Sequence, residues 1–429
     1  MKKLLSLDLI IIFIFGFLFL MNWDQTVIFN FIVFFGLCLG YLWLDKKIFE
    51  TAVEARAEQL WRYKTILFFS IIGFFICVTL IPNILLRHQN PDLPVHDNVQ
   101  QMEPAIEFLL QGKNPYTENY FGTELEKSAY IFTTQGQVLF NPALFHVIKL
   151  PFHIIFSVPF QIIAKQLFGF YDERMTYLSL FIMSILVLFN LPTDKKNKFA
   201  LTAFFVFNPL FLPFFISGRD DVFVLTWIIL TIWLLKKNKI LLSSLTLALA
   251  CTSKHSAWFL VPFYYAYVFS SLRPSASVLG LKFTQKIKST IGSLWTLFKR
   301  TWLLPVVFIL IIAPFIVWNP MAFYQDIYAY PAGTLVTSYP INGYGISVLF
   351  YKLGIVEKIT DYVPMWVLQI PLTLVLFYLL IKKQFSENNL SRLVFGYGVL
   401  ILVYWLFARF FHDNYVGFTS QLFLIAYFL

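Results

Sequence analysis

The stretch TILFFSIIGFFICVTLIPNILL, residues 65–86, decides the class of this protein because it is 22 residues long and contains no charged residue. An α-helix of about 20 apolar residues crosses the ~30 Å hydrocarbon core of a bilayer. Similar runs recur along the chain, which is 59% hydrophobic and 20% aromatic, with a mean hydropathy of +0.71. Soluble domains lack such runs, so the sequence predicts an all-α integral membrane protein, a polytopic helical bundle.

Twelve apolar segments are predicted to cross the membrane, with the N-terminus on the cytoplasmic side. They cover residues 4–21, 26–44, 65–86, 174–191, 199–216, 222–235, 240–253, 256–271, 302–318, 363–381, 392–408 and 415–429. The pair at 240–271 is short for two spans, and a partly re-entrant hairpin stays open for it. Residues 141–170 are apolar but interrupted by proline, lysine and histidine, which favours one or two interfacial helices.

The formal net charge of +10 follows a topological pattern. Lysine and arginine concentrate in alternate connections between the apolar runs, as the positive-inside rule predicts. The basic excess is therefore an insertion signal, and no nucleic-acid partner is expected. We expect a multi-pass protein of the inner or plasma membrane, with its active site on the extracytoplasmic side.

The chain divides into two predicted parts. Residues 1–64 contain two spans and a charged cytoplasmic connection, and residues 65–429 form the main transmembrane module. This module carries two long external loops, 87–170 with the interfacial helices and 319–362, which is rich in tyrosine, glycine and proline. Loops of such length are usually functional or disordered. The aromatic residues of the second loop either lie at the lipid headgroup level or close over a substrate.

Four short polar clusters fall on the same, non-cytoplasmic side of this topology. They are His96-Asp97-Asn98, Arg219-Asp220-Asp221, Ser253-Lys254-His255, and Arg409 with His412-Asp413-Asn414-Tyr415. Polar groups near a bilayer are costly, so several on one leaflet predict a functional site. Asp97, just before a short predicted helix, is either a helix cap or solvated carboxylate, or a general base that deprotonates an incoming hydroxyl.

The positively charged and histidine side chains of these clusters have two interpretations. They either snorkel toward lipid headgroups or stabilise the growing charge of a phosphate leaving group. The residues concerned are Arg219, Lys254, His255, Arg409 and His412.

The neighbouring carboxylates Asp220 and Asp221 also leave two alternatives open. They either form an ion pair with Arg219 or bind a divalent metal, which requires several further oxygen ligands. Those ligands would have to come from other segments, from Glu103, Asp326 and Asp413. The sequence alone leaves a metal requirement open.

The ordered set of motifs resembles a known family. The matching stretches are Asp97 through Ala105 to Gly112-Lys-Asn-Pro115-Tyr116, Asn208-Pro209 leading to Gly218-Arg-Asp-Asp221, Ala248 to Lys254 with Pro262, and His412-Asp-Asn414-Tyr415. Together they resemble polytopic membrane glycosyltransferases of the GT-C fold, and within them the bacterial polyprenyl-phosphate-mannose-dependent mannosyltransferases (glycosyltransferase family 87-like). The resemblance covers residues 65–429, and the two N-terminal spans depart from it.

The resemblance implies a donor sugar, mannose or another hexose or pentose, carried on polyprenyl phosphate. The acceptor would be a hydroxyl of a glycolipid, a polysaccharide or a protein of the cell envelope, and transfer would invert the anomeric carbon. Asp97 would be the catalytic base, and His96 would orient it or contact the phosphate. The donor phosphate would be bound by Lys254, His412, Arg219, His255 and Arg409. Supporting positions would be Asp220, Asp221, Glu103, Asp413, Asn414 and Tyr415.

Two alternatives to this enzyme stay open. The sequence contains neither a glycine-rich phosphate loop nor a large soluble domain for a nucleotide sugar, which fits a lipid-linked donor and also a lipid or solute transporter or flippase. An enzyme-like scaffold without activity is the other alternative. Because the polar clusters lie at predicted span ends rather than at mid-span depth, the sequence favours an enzyme over a transporter.

Overall fold

Helices dominate the computed structural model of this protein, which describes residues 6–23, 27–90, 93, 95–272 and 283–429. The α-helices are α1 (Leu7–Trp23), α2 (Val27–Glu50), α3 (Glu54–Gln89), α4 (Asp97–Leu110), α5 (Pro151–Phe168), α6 (Glu173–Phe189), α7 (Lys195–Val206), α8 (Leu212–Ser217), α9 (Asp221–Lys236), α10 (Ile240–Cys251), α11 (Val261–Leu272), α12 (Phe283–Thr301), α13 (Leu303–Trp318), α14 (Pro320–Tyr324), α15 (Tyr330–Ala332), α16 (Ile346–Lys352), α17 (Trp366–Ser386), α18 (Leu390–Leu406) and α19 (Asp413–Phe428).

Short elements of other kinds lie in the connections. Strands β1 (Tyr130–Phe132) and β2 (Val138–Phe140) form an antiparallel hairpin, and β3 (Asn342–Gly343) pairs in parallel with β4 (Phe410–Phe411). The 3-10 helices are Glu124–Ser128, Pro142–Leu144 and His255–Leu260, and Gln325–Ala329 is a π-helical turn. The predicted all-α fold is therefore confirmed, and the strands are limited to these short pairs among the described residues.

Several helices are long and apolar enough to cross a membrane. Within the described residues, three helices meet this requirement alone: Ile28–Glu50, Glu54–Gln89 and Trp366–Ser386. The number rises to five if each of two bent pairs is one span: Pro151–Phe168 with Glu173–Phe189, bent by 113°, and Gly292–Thr301 with Leu303–Trp318, bent by 48°. The predicted helical membrane protein is confirmed at this level, whereas the predicted count of twelve spans exceeds these helices.

Helix length explains the difference in the number of spans. Each of the twelve predicted segments overlaps a helix, but several helices are short. Helix α10, with 12 residues, is about 18 Å long, well below the ~30 Å hydrocarbon core. The predicted span 199–216 is divided into α7 and α8 at Asn208-Pro209, because proline removes a backbone donor and disfavours helix at the residue before it.

The first three helices are joined by buried charges. The Lys64 ammonium on α3 lies 2.9 Å from Asp8 Oδ2 on α1 and 2.7 Å from Asp45 Oδ1 on α2. Helix α3 continues without a break across residue 64, where the sequence was divided into two parts. Helices α1 and α2 are thus fixed to α3, the helix that leads toward the polar clusters.

Helix α9 is the central helix of the bundle. Its side chains are buried around the whole circumference, including Val222, Leu225, Ile228 and Ile232, and a helix that is apolar all round belongs in a core. It packs against α6 and α10. The carboxylate pair at its N-terminus is therefore held at one end of the packed core.

Candidate functional site

An open cleft of about 360 Å³ collects residues from segments that are far apart in sequence. Five of the sequence candidates line it: His96, Asp97, Arg219, His412 and Asp413. The remaining wall comes from residues 128–141 of the first long connection and 339–344 of the second. The structure thus brings three of the four polar clusters to one cavity.

Asp97 is the first residue of α4, and His96 is the cap that precedes it. The Asn98 amide donates a hydrogen bond to His96 Nδ1 at 3.1 Å, which satisfies one of the free N–H groups at the start of the helix. The same nitrogen lies 2.9 Å from Asp97 Oδ1. A single ring nitrogen cannot accept and donate at once, so it accepts from Asn98 when unprotonated and donates to Asp97 when it carries a proton.

The start of α4 is fixed beside the turn that carries Arg219. Asn98 Nδ2 donates to the Tyr177 hydroxyl at 2.7 Å and to the Gly218 carbonyl at 3.0 Å. Gly218 has φ +99°, and a Cβ atom there would lie only 2.3 Å from Val99 Cγ2. Only glycine allows both this backbone conformation and this close approach. The residue type at position 218 therefore determines how close Asp97 and Arg219 lie.

The Asp97 carboxylate is ionised and open to the cleft. Its side chain is 28% exposed, and Asn141 Nδ2 lies 3.5 Å from its Oδ2 atom. Burial raises the pKa of Asp97, but His96, together with Lys149 and Asn141, holds that pKa well below its usual range. The group therefore presents a negative charge and free lone pairs to a molecule in the cleft.

Beneath the cleft, the Asp220-Asp221 pair is fully engaged by other side chains. The Lys254 ammonium lies 2.9 Å from Asp220 Oδ1 and 2.7 Å from Asp221 Oδ1. The remaining oxygens bind Lys149, at 2.7 Å from Asp220 Oδ2, and Asn414, whose Nδ2 donates to Asp221 Oδ2 at 2.5 Å. All four carboxylate oxygens have a partner, and both acids are buried.

The charges of this network stabilise each other. Burial raises the pKa of Asp220, but the ammonium groups of Lys149 and Lys254 bring it well below its ordinary value. Burial lowers the pKa of Lys254, but Asp220 and Asp221 raise it above its ordinary value. Of the two alternatives for Asp220 and Asp221, the ion pair fits the structure. The partners of these carboxylates are two lysines, however, instead of the expected Arg219.

The donor set does not fit a divalent cation. Among the residues that the structure describes, no group of three or more His, Cys, Asp or Glu side chains converges as a metal site. Two of the three expected further ligands are engaged elsewhere: Glu103 binds Arg87 at 2.8 and 3.0 Å, and Asp326 lies 2.7 Å from His146 Nδ1. A cation at Asp220 and Asp221 would also have to displace two ammonium groups.

Arg219 connects the cleft to the buried network. Its Nη1 donates to Asn414 Oδ1, and the same nitrogen lies 3.6 Å from Asp413 Oδ1 at the mouth of the cleft. Asn414 in turn donates to Asp221, which binds Lys254. A charge that arrives in the cleft is therefore coupled through one amide side chain to the lysine-aspartate network.

His412 contributes a neutral imidazole to the cleft. Burial, together with repulsion from Arg219, lowers its pKa to about 3. Its ring lies 5.9 Å from those of Tyr339 and Tyr415, and Tyr415 stacks on Trp405 at 4.4 Å. The expected role of a fixed cation therefore does not apply to His412 at neutral pH, although its ring can donate a hydrogen bond.

Two candidates lie away from the cleft lining. His255 contacts the Trp258 ring at 4.9 Å, and burial lowers its pKa to about 4. Arg409 uses its guanidinium on backbone carbonyls: Nε donates to Tyr339 at 2.7 Å, Nη1 to Asp361 at 2.7 Å, and Nη2 to residues 359 and 360 at 3.2 and 3.1 Å. Arg409 thus holds the second long connection to the start of β4.

Replacing Arg409 by lysine is expected to loosen the second connection. A single ammonium cannot reproduce the planar fork that serves four carbonyl groups, and each buried carbonyl left without a donor costs about 1–3 kcal/mol. We expect faster protease cleavage within residues 334–362 and a lower melting temperature. The matched change Arg392→Lys, on an arginine at the opposite end of the bundle, should leave this cleavage unchanged. Equal cleavage rates in Arg409→Lys and wild type would contradict this role.

The histidine pKa values predict a specific pH effect. A histidine with a folded pKa of about 3 and an unfolded pKa of about 6.5 takes up its proton only on unfolding between these values. His412 therefore lowers stability as pH falls below about 6.5, by about 1–2 kcal/mol between pH 7 and pH 5. His412→Gln should remove this contribution. The measurement is the difference in unfolding free energy between the two pH values, in wild type and variant; equal differences would show that His412 is not buried as a neutral ring.

Contacts between the two long connections hold the rim of the cleft together. In the turn of the β1–β2 hairpin, the Thr134 amide donates to Asn342 Oδ1 at 2.9 Å and its hydroxyl to the Gly343 carbonyl at 2.9 Å. Gly343 has φ +89°, and a Cβ atom there would lie 2.0 Å from the Phe411 carbonyl oxygen. The hairpin, β3 and β4 are thus held together, which places His412 at the edge of the cleft.

The hairpin presents an exposed apolar face next to the cleft. Its register pairs Tyr130 with Phe140 and Phe132 with Val138, so these four side chains share one face. All four are exposed, Phe132 by 80%, and Tyr130 and Phe132 also line the cleft. An exposed apolar face of this kind indicates a contact with lipid, ligand or protein.

Sequence reasoning missed two side chains that act on the candidate site. Lys149 was assigned to an interfacial helix, yet its ammonium binds Asp220, 71 positions away. Asn141 caps the 3-10 helix that begins at Pro142, and its amide also reaches Asp97. The Asn-Pro pair signals a cap, but no spacing in the sequence links either residue to the carboxylate that it contacts.

Comparison with known proteins gave no match to a family model, a curated protein or a solved structure. The fold and the site therefore define the class by themselves: an α-helical membrane protein with a charged cleft at one end of its bundle.

Proposed function

We propose that this chain is a membrane glycosyltransferase of the GT-C type. It transfers a sugar, mannose or another hexose or pentose, from polyprenyl phosphate to an acceptor hydroxyl outside the cell membrane. The observation that carries the proposal is the ionised, partly exposed Asp97 in a cleft that also presents Arg219 and His412. A base and phosphate-binding donors around one open space are what an inverting transfer from a lipid phosphate requires.

The proposed reaction begins at Asp97. Its carboxylate accepts the proton of the acceptor hydroxyl while the hydroxyl oxygen forms a bond to the anomeric carbon. The bond between that carbon and the phosphate oxygen breaks on the opposite side, and its electron pair leaves with the polyprenyl phosphate. A carboxylate with a lowered pKa is a weak base as long as no donor is bound. An anionic donor in the cleft raises the pKa of Asp97, because a nearby negative charge disfavours the ionised carboxylate.

The leaving phosphate gains negative charge, and several features favour that charge. Arg219 is the cation at the cleft, and His412 can donate a ring N–H. Helices α4, α9 and α19 all begin at this end of the bundle, and helix N-termini carry partial positive charge. A fixed donor at a developing oxyanion contributes about 3–4 kcal/mol. In this proposal Lys149 and Lys254 act one layer below, where they keep Asp220 and Asp221 from repelling the phosphate.

The lipid nature of the donor is supported by the apolar surroundings. The exposed hairpin face with Phe132 borders the cleft, and it offers a surface for a hydrocarbon chain beside the phosphate site. The helices that are long and apolar enough to cross a membrane would form the transmembrane part. The cleft would then lie on the extracytoplasmic side.

A transfer assay tests the proposal. Purified protein in detergent is mixed with short-chain polyprenyl-phosphate sugars, one at a time, and a lipid extract of the source cells as acceptor. Release of polyprenyl phosphate that requires both sugar donor and acceptor supports the proposal and identifies the donor. Absence of release with every donor, from protein that remains folded, would overturn it and favour the lipid or solute transporter.

A further inference from the structure

A second cavity, of about 670 Å³, lies at the end of the bundle opposite to the cleft. It is formed where α9, α11, α17 and α18 end or begin, and its lining includes Lys236, Lys383, Arg392 and Ser391. Helix α9 begins at Asp221 in the cleft network and ends at Lys236 after 16 residues. The two sites are therefore separated by about 24 Å along this helix.

The side chains that line this cavity carry a net positive charge. Its lining contains three cationic side chains and no acidic one. Arg392 donates to Glu387 outside the lining, whereas no carboxylate of the described residues lies within 4.0 Å of the Lys236 or Lys383 ammonium. The first turn of α18, with Asn389 as its cap, faces the same space and adds the partial positive charge of a helix N-terminus. Two lysines without a counter-ion in one cavity indicate an anionic ligand.

The walls indicate the kind of anion. Leu380 and Phe395 line the cavity beside the cationic groups, and Phe395 is half exposed. Leu380 belongs to α17, whose most apolar stretch is only 6% buried within the protein, so this helix faces lipid. A cavity that joins cations to a lipid-facing helix surface fits a headgroup with its acyl chains alongside. Its volume is within the roughly 300–1,000 Å³ of small-ligand sites.

We propose that this cavity binds the phosphate group of an anionic phospholipid. Lys236 and Lys383 neutralise the phosphate, the start of α18 offers backbone N–H groups, and the acyl chains lie against α17. The proposal does not depend on the glycosyltransferase reaction, because it concerns the opposite end of the bundle. It predicts that the protein retains anionic lipid and is stabilised by it.

The test compares matched lysine variants. Phosphatidylglycerol, phosphatidylcholine and soluble glycerol phosphate are each titrated into the purified protein in detergent, and bound lipid and melting temperature are measured. Lys236→Gln and Lys383→Gln should each weaken phosphatidylglycerol binding roughly fivefold, the effect of one basic residue near an anionic headgroup. Lys237→Gln and Lys382→Gln are the controls, since these neighbouring lysines do not line the cavity, and they should change binding less than twofold.

Each outcome of this titration decides the proposal. If phosphatidylglycerol binds and glycerol phosphate does not, the ligand is a lipid and the proposal holds in full. If glycerol phosphate binds equally well and the two cavity variants lose it, the phosphate site stands but takes a soluble phosphate. Equal effects of all four variants, or equal binding of phosphatidylcholine, would show only a general surface charge and overturn the proposal. Lys383 is exposed, so its variant remains informative if Lys236→Gln fails to fold.

Discussion

Replacing Asp97 by asparagine is expected to reduce sugar transfer by about 10²–10⁴-fold, the contribution of a general base, and to leave donor binding intact. Asparagine has the same shape and can keep the contact with Asn141, but its amide cannot accept the proton of the acceptor hydroxyl. The measurement is the release of polyprenyl phosphate at saturating donor, together with the dissociation constant of the donor. Loss of catalysis without loss of binding is the signature of a base.

The matched control for this experiment is Glu118→Gln. Glu118 belongs to the same connection and lies 3.8 Å from Lys113, and it does not line the cleft. It should retain wild-type transfer. Near-normal turnover of Asp97→Asn would remove Asp97 as the base, whereas a parallel loss of donor binding and melting temperature would assign it the structural role of a helix start.

The apolar helices could be located from the sequence, because hydropathy indicates where such helices form. Residues 65–86, for example, lie within one continuous helix. The number of membrane spans could not be predicted from hydropathy, since it depends on helix length and packing. Helix α7 ends at Val206, before Asn208-Pro209, and α10 is short because polar residues adjoin both of its ends. A buried short helix and a spanning helix have the same apolar composition.

The convergence of His96, Asp97, Arg219 and His412 was also predictable, because each polar cluster stands at an end of an apolar helix on the same predicted side. The direction of individual side chains was not. Arg409 precedes His412 by three residues, yet its guanidinium points to the carbonyls of the second connection. Neither hydropathy nor charge pattern distinguishes an arginine that binds backbone carbonyls from an arginine that binds a ligand.

Lys254→Met is expected to destabilise the protein by about 3–5 kcal/mol, the cost of removing one partner of a buried ion pair. Methionine keeps the unbranched chain, but it removes the ammonium that contacts both carboxylates and leaves Lys149 and Asn414 as their hydrogen-bonding partners. The double variant Lys254→Met/Asp221→Asn should recover more than half of the loss, because it removes the uncompensated charge. Unfolding in denaturant, followed in detergent, measures both effects.

The exposed Lys239 at the opposite end provides the control, and Lys239→Met should change stability by less than about 0.5 kcal/mol. The double variant separates the two roles of Lys254. If Lys254 serves the aspartates, stability and transfer return together in Lys254→Met/Asp221→Asn. If instead Lys254→Met remains stable but loses donor binding, the Lys254 ammonium binds the phosphate itself. Its ion pair with Asp220 and Asp221 then describes only the state without donor. The coupling between stability and binding therefore distinguishes a structural cation from a ligand-binding one.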